Sequence, residues 1–328
     1  MRATKIIGVG SYAPATVLTN QDLERMVETS DEWIVARTGI KERRVAAPGE
    51  VTSDLATQAS LRALEEAGVG AEELDLLIVG TISPDMLLPS TACAVQAKLG
   101  AKNAAAFDIA AACSGFLYGL AVAHGFIQSR CYNTILVIGV EIMTRTLDWT
   151  DRTTCVLFGD GGGAAVVRGV ETTEKEGVLS VHLHSDGNSM QYLYRPGGGS
   201  LYPATQETVA QRLHYVKMDG PETFKGAVRA MSEAAREALL FHDCRPEDLA
   251  LLIPHQANKR IIDAVTDRLK LPKEKVFINV ERYGNTSAGS IPLALDEALR
   301  GGRIQRGDRI LLTTFGAGFT WASTMIRW

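Results

Sequence analysis

The chain has 328 residues, too many for one ordinary core, so two domains or one large fold of two similar halves is expected. Charges of both signs are well mixed and the formal net charge is -4 at pH 7, which excludes a duplex-binding surface built on concentrated Lys and Arg. Five widely spaced cysteines without CxxC pairs, and no signal peptide ahead of them, point to reduced thiols in a cytoplasmic protein and spell out no zinc site.

The first apolar run, TKIIGVGSY, reads as a strand. TSDLATQASLRALEEAG follows as a helix, with a Ser/Thr/Asp start, apolar residues spaced at three and four, and Gly68 as its stop. LDLLIVG is then a buried strand, and similar pairs recur to the C-terminus, the pattern of an α/β protein. After the strand-like AAAFDIA comes IAAACSGFLYGLAVAHGFI, residues 109 to 127, which carries no formal charge over nearly a membrane span. Its small residues, its Cys, Ser, Tyr and His, and its lack of Lys/Arg-rich flanks make it a buried helix packed closely on neighbouring backbone instead.

Cys113 lies in that run. A free cysteine is commonly a small core hydrophobe, but this one stands near a helix N-terminus, where partial positive charge favours thiolate. Further on, GDGGGAA and RPGGGS invite a phosphate-loop reading, yet neither gives strand, GxGxxG and helix in order, nor a Walker lysine; AAVVRGV continues the former as a strand. HLHSD puts His182 and His184 on one strand face without a convincing third metal ligand, so no metal is expected.

The second part of the chain repeats the first. At an offset of 175, residues 63 to 78 fall on residues 238 to 253, with Ala63, Leu64, Glu72, Leu74, Leu76, Leu77 and Ile78 meeting identical residues. An offset of 174 then lays the start of the Cys113 helix over SAGSIPLALDEAL. His255 follows the strand LALLI and precedes the helix KRIIDAVTDRLK, and Asn285 follows the run KVFINV, read as a strand. Cys113, His255 and Asn285 are thus expected at carboxyl ends of strands, where open α/β sheets place their ligands. A cysteine accepting an acyl group needs donors that stabilise an enolate, which one imidazole and one carboxamide supply.

At these residues the chain resembles the β-ketoacyl-acyl-carrier-protein synthase III enzymes, members of the thiolase superfamily that start fatty acid synthesis. The resemblance runs through SDEWIVARTGIKERR, AACSGFLYGL, FGDGGGAAVV, MDGPETFK, PHQANKRI, YGNTSAGSIPLAL and LLTTFGAGFTW. It implies a five-layered αβαβα fold of two pseudo-symmetric halves, residues 1 to 170 carrying the nucleophile and 171 to 328 the histidine and asparagine. It implies Cys113, His255 and Asn285 as the catalytic set, with backbone N–H groups of Cys113 and Ala317 as the oxyanion hole. The family usually has glycine where Ala317 stands, so a positive φ there would strain this chain.

By the same resemblance Trp33, Arg37, Arg152 and Asn258 would hold coenzyme A, indole and guanidinium groups flanking the adenine and Asn258 meeting the pantetheine arm. Lys225, Arg260 and Arg268 would receive an acidic carrier protein. Leu88, before the proline of LLPS, would reach toward the acyl pocket of the partner subunit of a homodimer and leave room for primers beyond acetyl. The implied partners are acyl-CoA and malonyl-acyl-carrier-protein, with acyl-CoA a substrate, no resident cofactor, no nucleic acid and no membrane. Two other readings are a related ketosynthase of specialised metabolism and a non-catalytic thiolase-fold subunit, though the latter need not keep these three residues. A papain-like protease shares the order Cys, His, Asn but would carry a CGSCW-type signature that is missing here, and its fold has no place for the α/β repeat.

Overall fold

The alternating pattern becomes two packed sheets in a computed structural model that describes residues 1–328. β1 (Arg2–Tyr12) opens the first half; a ribbon of β2 (Thr16–Thr19) and β3 (Glu42–Val45) encloses the short helices α1 (Asn20–Glu24) and α2 (Asp31–Thr38). Then follow α3 (Thr52–Ala67), β4 (Leu76–Gly80), α4 (Thr91–Leu99), β5 (Ala105–Ile109), α5 (Gly115–Gln128), β6 (Thr134–Ile142) and β7 (Asp160–Glu171). This sheet has the order β1-β7-β6-β4-β5, with β4 parallel to both β5 and β6.

The second half begins with β8 (Gly177–Ser185), passes through β9 (Leu193–Tyr194), α6 (Gln206–Ala210) and β10 (Lys217–Met218), and continues as α7 (Gly220–Phe241), β11 (Leu251–Pro254) and α8 (Lys259–Leu269). It closes with α9 (Val280–Tyr283), α10 (Ser290–Arg300), β12 (Arg309–Gly316) and β13 (Thr320–Arg327). Its sheet, β11-β12-β13-β8, repeats the order of β4-β6-β7-β1, and an isolated bridge between Leu252 and Val276 takes the place of β5.

Three apolar clusters divide the molecule into five layers. Leu55, Ala59 and Ala63 of α3 pack with Leu77 and Val79 on the outer face of the first sheet, and Met231, Ala235, Ile262 and Val265 of α7 and α8 on the outer face of the second. Between the sheets, Phe116, Leu117, Leu120 and Ile127 of α5 meet Ile291, Ala294 and Leu295 of α10. Each fully buried large side chain there contributes roughly 1.5–3 kcal/mol. The small residues of α5 serve close approach as expected: a Cβ on Gly119 would lie 3.0 Å from the Val137 side chain. At 14 residues α5 is too short to span a bilayer, and no helix here is long and apolar enough to do so.

Four local expectations are corrected. The helix after AAAFDIA starts at Gly115, because β5 runs to Ile109 and a 3-10 turn, Ala112–Ser114, intervenes. The N-cap of α3 is Val51, whose N–H donates to the Asp54 carboxylate (2.9 Å), while the Thr52 hydroxyl turns to the Ser83 carbonyl (2.5 Å). KVFINV makes only the Val276 bridge before the backbone coils into α9, so Asn285 does not sit at a strand end. Finally, the turn Ser287–Gly289 and α10 from Ser290 match the turn Ala112–Ser114 and α5 from Gly115 at an offset of 175, not 174.

Candidate active site

Cys113 is held where the two halves meet. The turn carrying it starts with Ala112 at φ +47°, and the carbonyls of Ala111 and Cys113 accept from the hydroxyls of Thr320 (2.9 Å) and Thr314 (3.0 Å) on the second sheet. Gly316 lets β12 approach, since a Cβ there would lie 2.7 Å from the Cys113 nitrogen. The thiol is buried, and burial pushes it up to about 12. This reverses the expected thiolate. A helix N-terminus is worth at most one or two kcal/mol, whereas desolvation moves a buried group by several pKa units, so the resting group is a thiol.

His255 follows β11, and its N–H donates to the Thr313 carbonyl (2.8 Å), which prolongs the pairing of β11 with β12. Its Nδ1 lies 2.6 Å from Ser290 Oγ, which also accepts from the Gln256 N–H at 3.3 Å. The serine hydroxyl keeps its own proton for donation, and when it donates to Nδ1 the neutral ring carries its proton on Nε2. Burial lowers this imidazole to about 3, so it is a neutral donor at ordinary pH.

Asn285 is bracketed by the segment 157–159: its N–H donates to the Leu157 carbonyl (2.8 Å), and its carbonyl accepts from Gly159 (3.1 Å). Gly284 at φ +62° makes the turn into it. The side-chain Oδ1 accepts from the Ser287 N–H (2.8 Å), so the Nδ2 donors are the end left to serve a ligand.

Cys113, His255 and Asn285 line one cavity of about 490 Å³. Trp33 and Arg37 stand along it, with the Arg37 and Arg152 guanidinium carbons 4.8 Å and 5.3 Å from the indole centroid. Asn258, also on the wall, caps α8 by accepting from the Arg260 N–H (2.8 Å) and donates to the Arg37 carbonyl (3.1 Å), which fastens α8 to α2. Lys225 and Arg260 line the same cavity, the first paired with Glu222 (2.7 Å) and the second over the Phe224 ring (5.5 Å). Arg268 stands apart from them, in the last turn of α8 and about 12 Å along that helix from Arg260.

Cys113 also borders a second chamber of about 280 Å³, lined by Ile82, Met143, Phe158, Leu193 and Ala317 among others. Ala317 itself has no positive φ, which falls on the next residue, Gly318 (+134°), so the strain considered for that alanine does not arise. Leu88 is 86 % exposed and lines neither chamber of its own chain. His182 and His184 pair with Glu237 of α7, at 3.3 Å and 2.6 Å.

Sequence reasoning passed over Ser287, Ser290 and Glu141. Both serines lie in the very run that supplied Asn285, and Glu141 is the one charge in the otherwise apolar strand TILVIGVEI, a pattern that marks a buried polar group with a reason to be there.

Two family models match the chain: 3-oxoacyl-(acyl-carrier-protein) synthase III over residues 107–187, and the C-terminal part of the same family over residues 239–328. The beta-ketoacyl-(acyl-carrier-protein) synthase III of Caldanaerobacter subterraneus subsp. tengcongensis is 57% identical over 326 residues, 99% of this chain and 98% of that protein. The crystal structure of 3-oxoacyl-(acyl-carrier-protein) synthase III from Aquifex aeolicus superposes with a TM-score of 0.91 at 49% identity, covering 99% of this chain and 100% of that one. The priming β-ketosynthase of a polyketide biosynthetic pathway superposes equally, 0.91 at 37% identity, over 99% and 96% of the two chains.

Proposed function

The chain belongs to the 3-oxoacyl-(acyl-carrier-protein) synthase III family, and we propose that it condenses a short acyl-CoA primer with malonyl-acyl-carrier-protein to begin fatty acid synthesis. The observation that carries this reading is the convergence of a buried thiol, a neutral imidazole and an oriented carboxamide on one cavity that also holds a tryptophan flanked by arginines.

In this reading acyl-CoA lies along the larger cavity, its adenine against Trp33 between Arg37 and Arg152, with Asn258 beside the pantetheine. Cys113 Sγ attacks the thioester carbon as it gives up its proton, the oxyanion turns to the N–H groups of Cys113 and Ala317, and the C–S bond to coenzyme A breaks as the departing sulfur takes up a proton. The acyl group then occupies the second chamber, whose apolar walls suit a straight or branched short chain, with Leu88 of one protomer of a homodimer closing the pocket of its partner.

Malonyl-acyl-carrier-protein enters next, its carrier docked on Lys225 and Arg260 with Arg268 further along the same helix. Nε2–H of His255 and Nδ2–H of Asn285 donate to its thioester carbonyl. As the carboxylate leaves as carbon dioxide, its bonding electrons form an enolate held by those donors, and the carbanion attacks the acyl-cysteine carbonyl. The Cys113 sulfur departs as thiolate and takes a proton from solvent to restore the thiol, and a β-ketoacyl-carrier-protein is released. Acyl-CoA is a substrate here, and no resident cofactor enters the chemistry.

The likeness to the polyketide priming enzyme supports one second reading, the same condensation with another primer for specialised metabolism. Mass spectrometry of the protein mixed with a panel of acyl-CoAs, without malonyl donor, tests both. An acyl adduct on the Cys113 peptide identifies the primer by its mass, and Cys113→Ala removes it. Folded, reduced protein that takes no adduct would overturn the reading in favour of a non-catalytic subunit.

A further inference from the structure

Arg43, inside β3, is among the largest side chains of the molecule to be fully buried, and the condensation described above makes no use of it. Alternation along the strand turns its neighbours Glu42 and Arg44 to the other face, where they pair at 3.6 Å, and points Arg43 inward. Its guanidinium meets three oxygens, none of them a carboxylate. Nη1 donates to the Leu18 carbonyl (3.1 Å) and to Asn20 Oδ1 (2.8 Å), Nη2 donates to the Val156 carbonyl (2.9 Å), and Nε has no partner. Burial lowers the group to about 10, which leaves it a cation at ordinary pH. A cation buried without a counter-ion is an expensive way to fill space, and an apolar side chain would fill it without that cost. What arginine alone supplies here is a rigid fork that holds two separate partners at once.

One arm of the fork leads to Asn285. Val156 directly precedes the segment 157–159 that brackets this residue through the Leu157 carbonyl (2.8 Å) and the Gly159 N–H (3.1 Å), and Phe158 forms an isolated bridge with Asn285 itself. Arg43 packs against both glycines of that crossing: a Cβ on Gly159 would lie 2.9 Å from Arg43 Cβ, and one on Gly284 3.4 Å. The other arm leads to α2. Asn20, also fully buried, accepts Arg43 on Oδ1 and donates from Nδ2 to the Asp31 carboxylate (2.7 Å) and the Ile40 carbonyl (2.8 Å). Asp31 opens the helix that carries Trp33 and Arg37. A single guanidinium thus joins the helix at one end of the larger cavity to the segment that carries the carboxamide at the other.

We propose that Arg43 is a positioning residue for the condensation: it fixes the segment 156–159 against α2 and so holds the Asn285 carboxamide where Nδ2 can donate to the malonyl thioester carbonyl. The bonds of Asn285 to Leu157, Gly159 and Ser287 set its direction relative to that segment, and Arg43 sets where the segment stands. Cys113 is held independently, by Thr314 and Thr320, so the effect of Arg43 falls on the enolate stage rather than on acylation. Lysine keeps the charge but ends in one compact ammonium, which cannot reach Val156 and Asn20 together.

This rests on the reading of Asn285 as an enolate donor, and the experiment keeps the two claims apart. Malonyl-acyl-carrier-protein decarboxylation, and Cys113 acylation at saturating acyl-CoA, are timed for the wild type, Arg43→Met, Arg43→Lys, Asn285→Ala and the double variants that join each Arg43 change to Asn285→Ala. If Asn285→Ala decarboxylates as fast as the wild type, the asparagine is no donor, and that reading falls together with the role of Arg43. Where Asn285→Ala is slow, each Arg43 variant is expected to decarboxylate about 10- to 100-fold more slowly than the wild type with acylation within about 3-fold, the scale of a catalytic group displaced by up to about 1 Å. On top of Asn285→Ala the same changes should cost nothing further, because the group they displace is gone. Wild-type decarboxylation in the folded Arg43 variants, a parallel fall in both half-reactions, or an undiminished further loss in the double variants would each overturn the positioning role. Arg43→Lys retains the buried charge and Arg43→Met the bulk, and the Lys41 N–H still ties β3 to the Glu281 carbonyl (3.0 Å) in both, so whichever variant folds decides the matter.

Discussion

Ala112 and Ser287 share one strained backbone conformation, at φ +47° and +49°, and stand at the same place in the two halves of the fold. Each opens the 3-10 turn ahead of an inter-sheet helix, and the two turns pack together. The first half uses its turn to present Cys113; the second has Ala288 at the equivalent place, and its Ser287 lines the same second chamber with its hydroxyl donating to Glu141 (3.1 Å). One duplicated device thus supplies a thiol from one copy and a hydroxyl from the other to the wall of a single chamber.

The closeness of β12 to that turn makes Gly316 intolerant of a side chain. A Cβ would sit 2.7 Å from the Cys113 nitrogen and 3.2 Å from the Ala111 oxygen, against backbone that cannot swing away. Gly316→Ala is expected to destabilise by about 1–3 kcal/mol and to slow Cys113 acylation. Chemical denaturation and adduct timing check it; wild-type values for both would mean that the turn is free to move.

Ser290 is expected to matter through His255 alone. Ser290→Ala removes the hydroxyl at 2.6 Å from Nδ1 and frees the ring to protonate on either nitrogen. Malonyl decarboxylation should drop by about 10-fold or more while acylation of Cys113 holds, since the lost donor serves only the enolate. An equal loss in both half-reactions would point to disturbed packing at the head of α10.

His255 also has a consequence for acid stability. In the unfolded chain its imidazole takes up a proton as pH falls through its ordinary 6.5, but in the fold burial holds it neutral until about 3. Its contribution is therefore complete above the unfolded value and is lost progressively as pH falls from about 6.5 toward 3. Glu141, raised by burial, works in the opposite direction. Urea unfolding at near-neutral and mildly acid pH should show a smaller acid loss in His255→Gln than in the wild type; identical losses would remove His255 from the account.

The indole between two guanidinium groups predicts a binding effect without a chemical one. Trp33→Ala gives up contacts at 4.8 Å and 5.3 Å and the surface on which an adenine would lie. KM for acyl-CoA should rise by about 2- to 30-fold with kcat nearly unchanged, the range of one or two cation–π contacts. A fall in kcat with KM unmoved would place Trp33 in the fold rather than in the binding of coenzyme A.

Much of this could be read in the chain itself. Local periodicity identified β4, α3 and α8, the offset of 175 exposed the duplication, and motif spelling picked Cys113, His255 and Asn285, which do line one cavity. Those properties are written in neighbouring residues, because apolar spacing and backbone preference act over one or two turns. What failed was local in appearance and tertiary in cause: KVFINV has the composition of a strand, but only Val276 finds a partner. The electrostatic state of the site was also out of reach. A place near a helix N-terminus predicts a thiolate at Cys113, whereas the packed halves desolvate the group and favour the thiol. Thr314, Thr320, Ser290 and Glu141 touch residues up to about two hundred positions away, so their roles exist only once the halves have packed. The sequence determined which groups are available and on which elements; desolvation and hydrogen bonding across the packed halves decided which of them carry protons, because both depend on neighbours that chain order does not bring together.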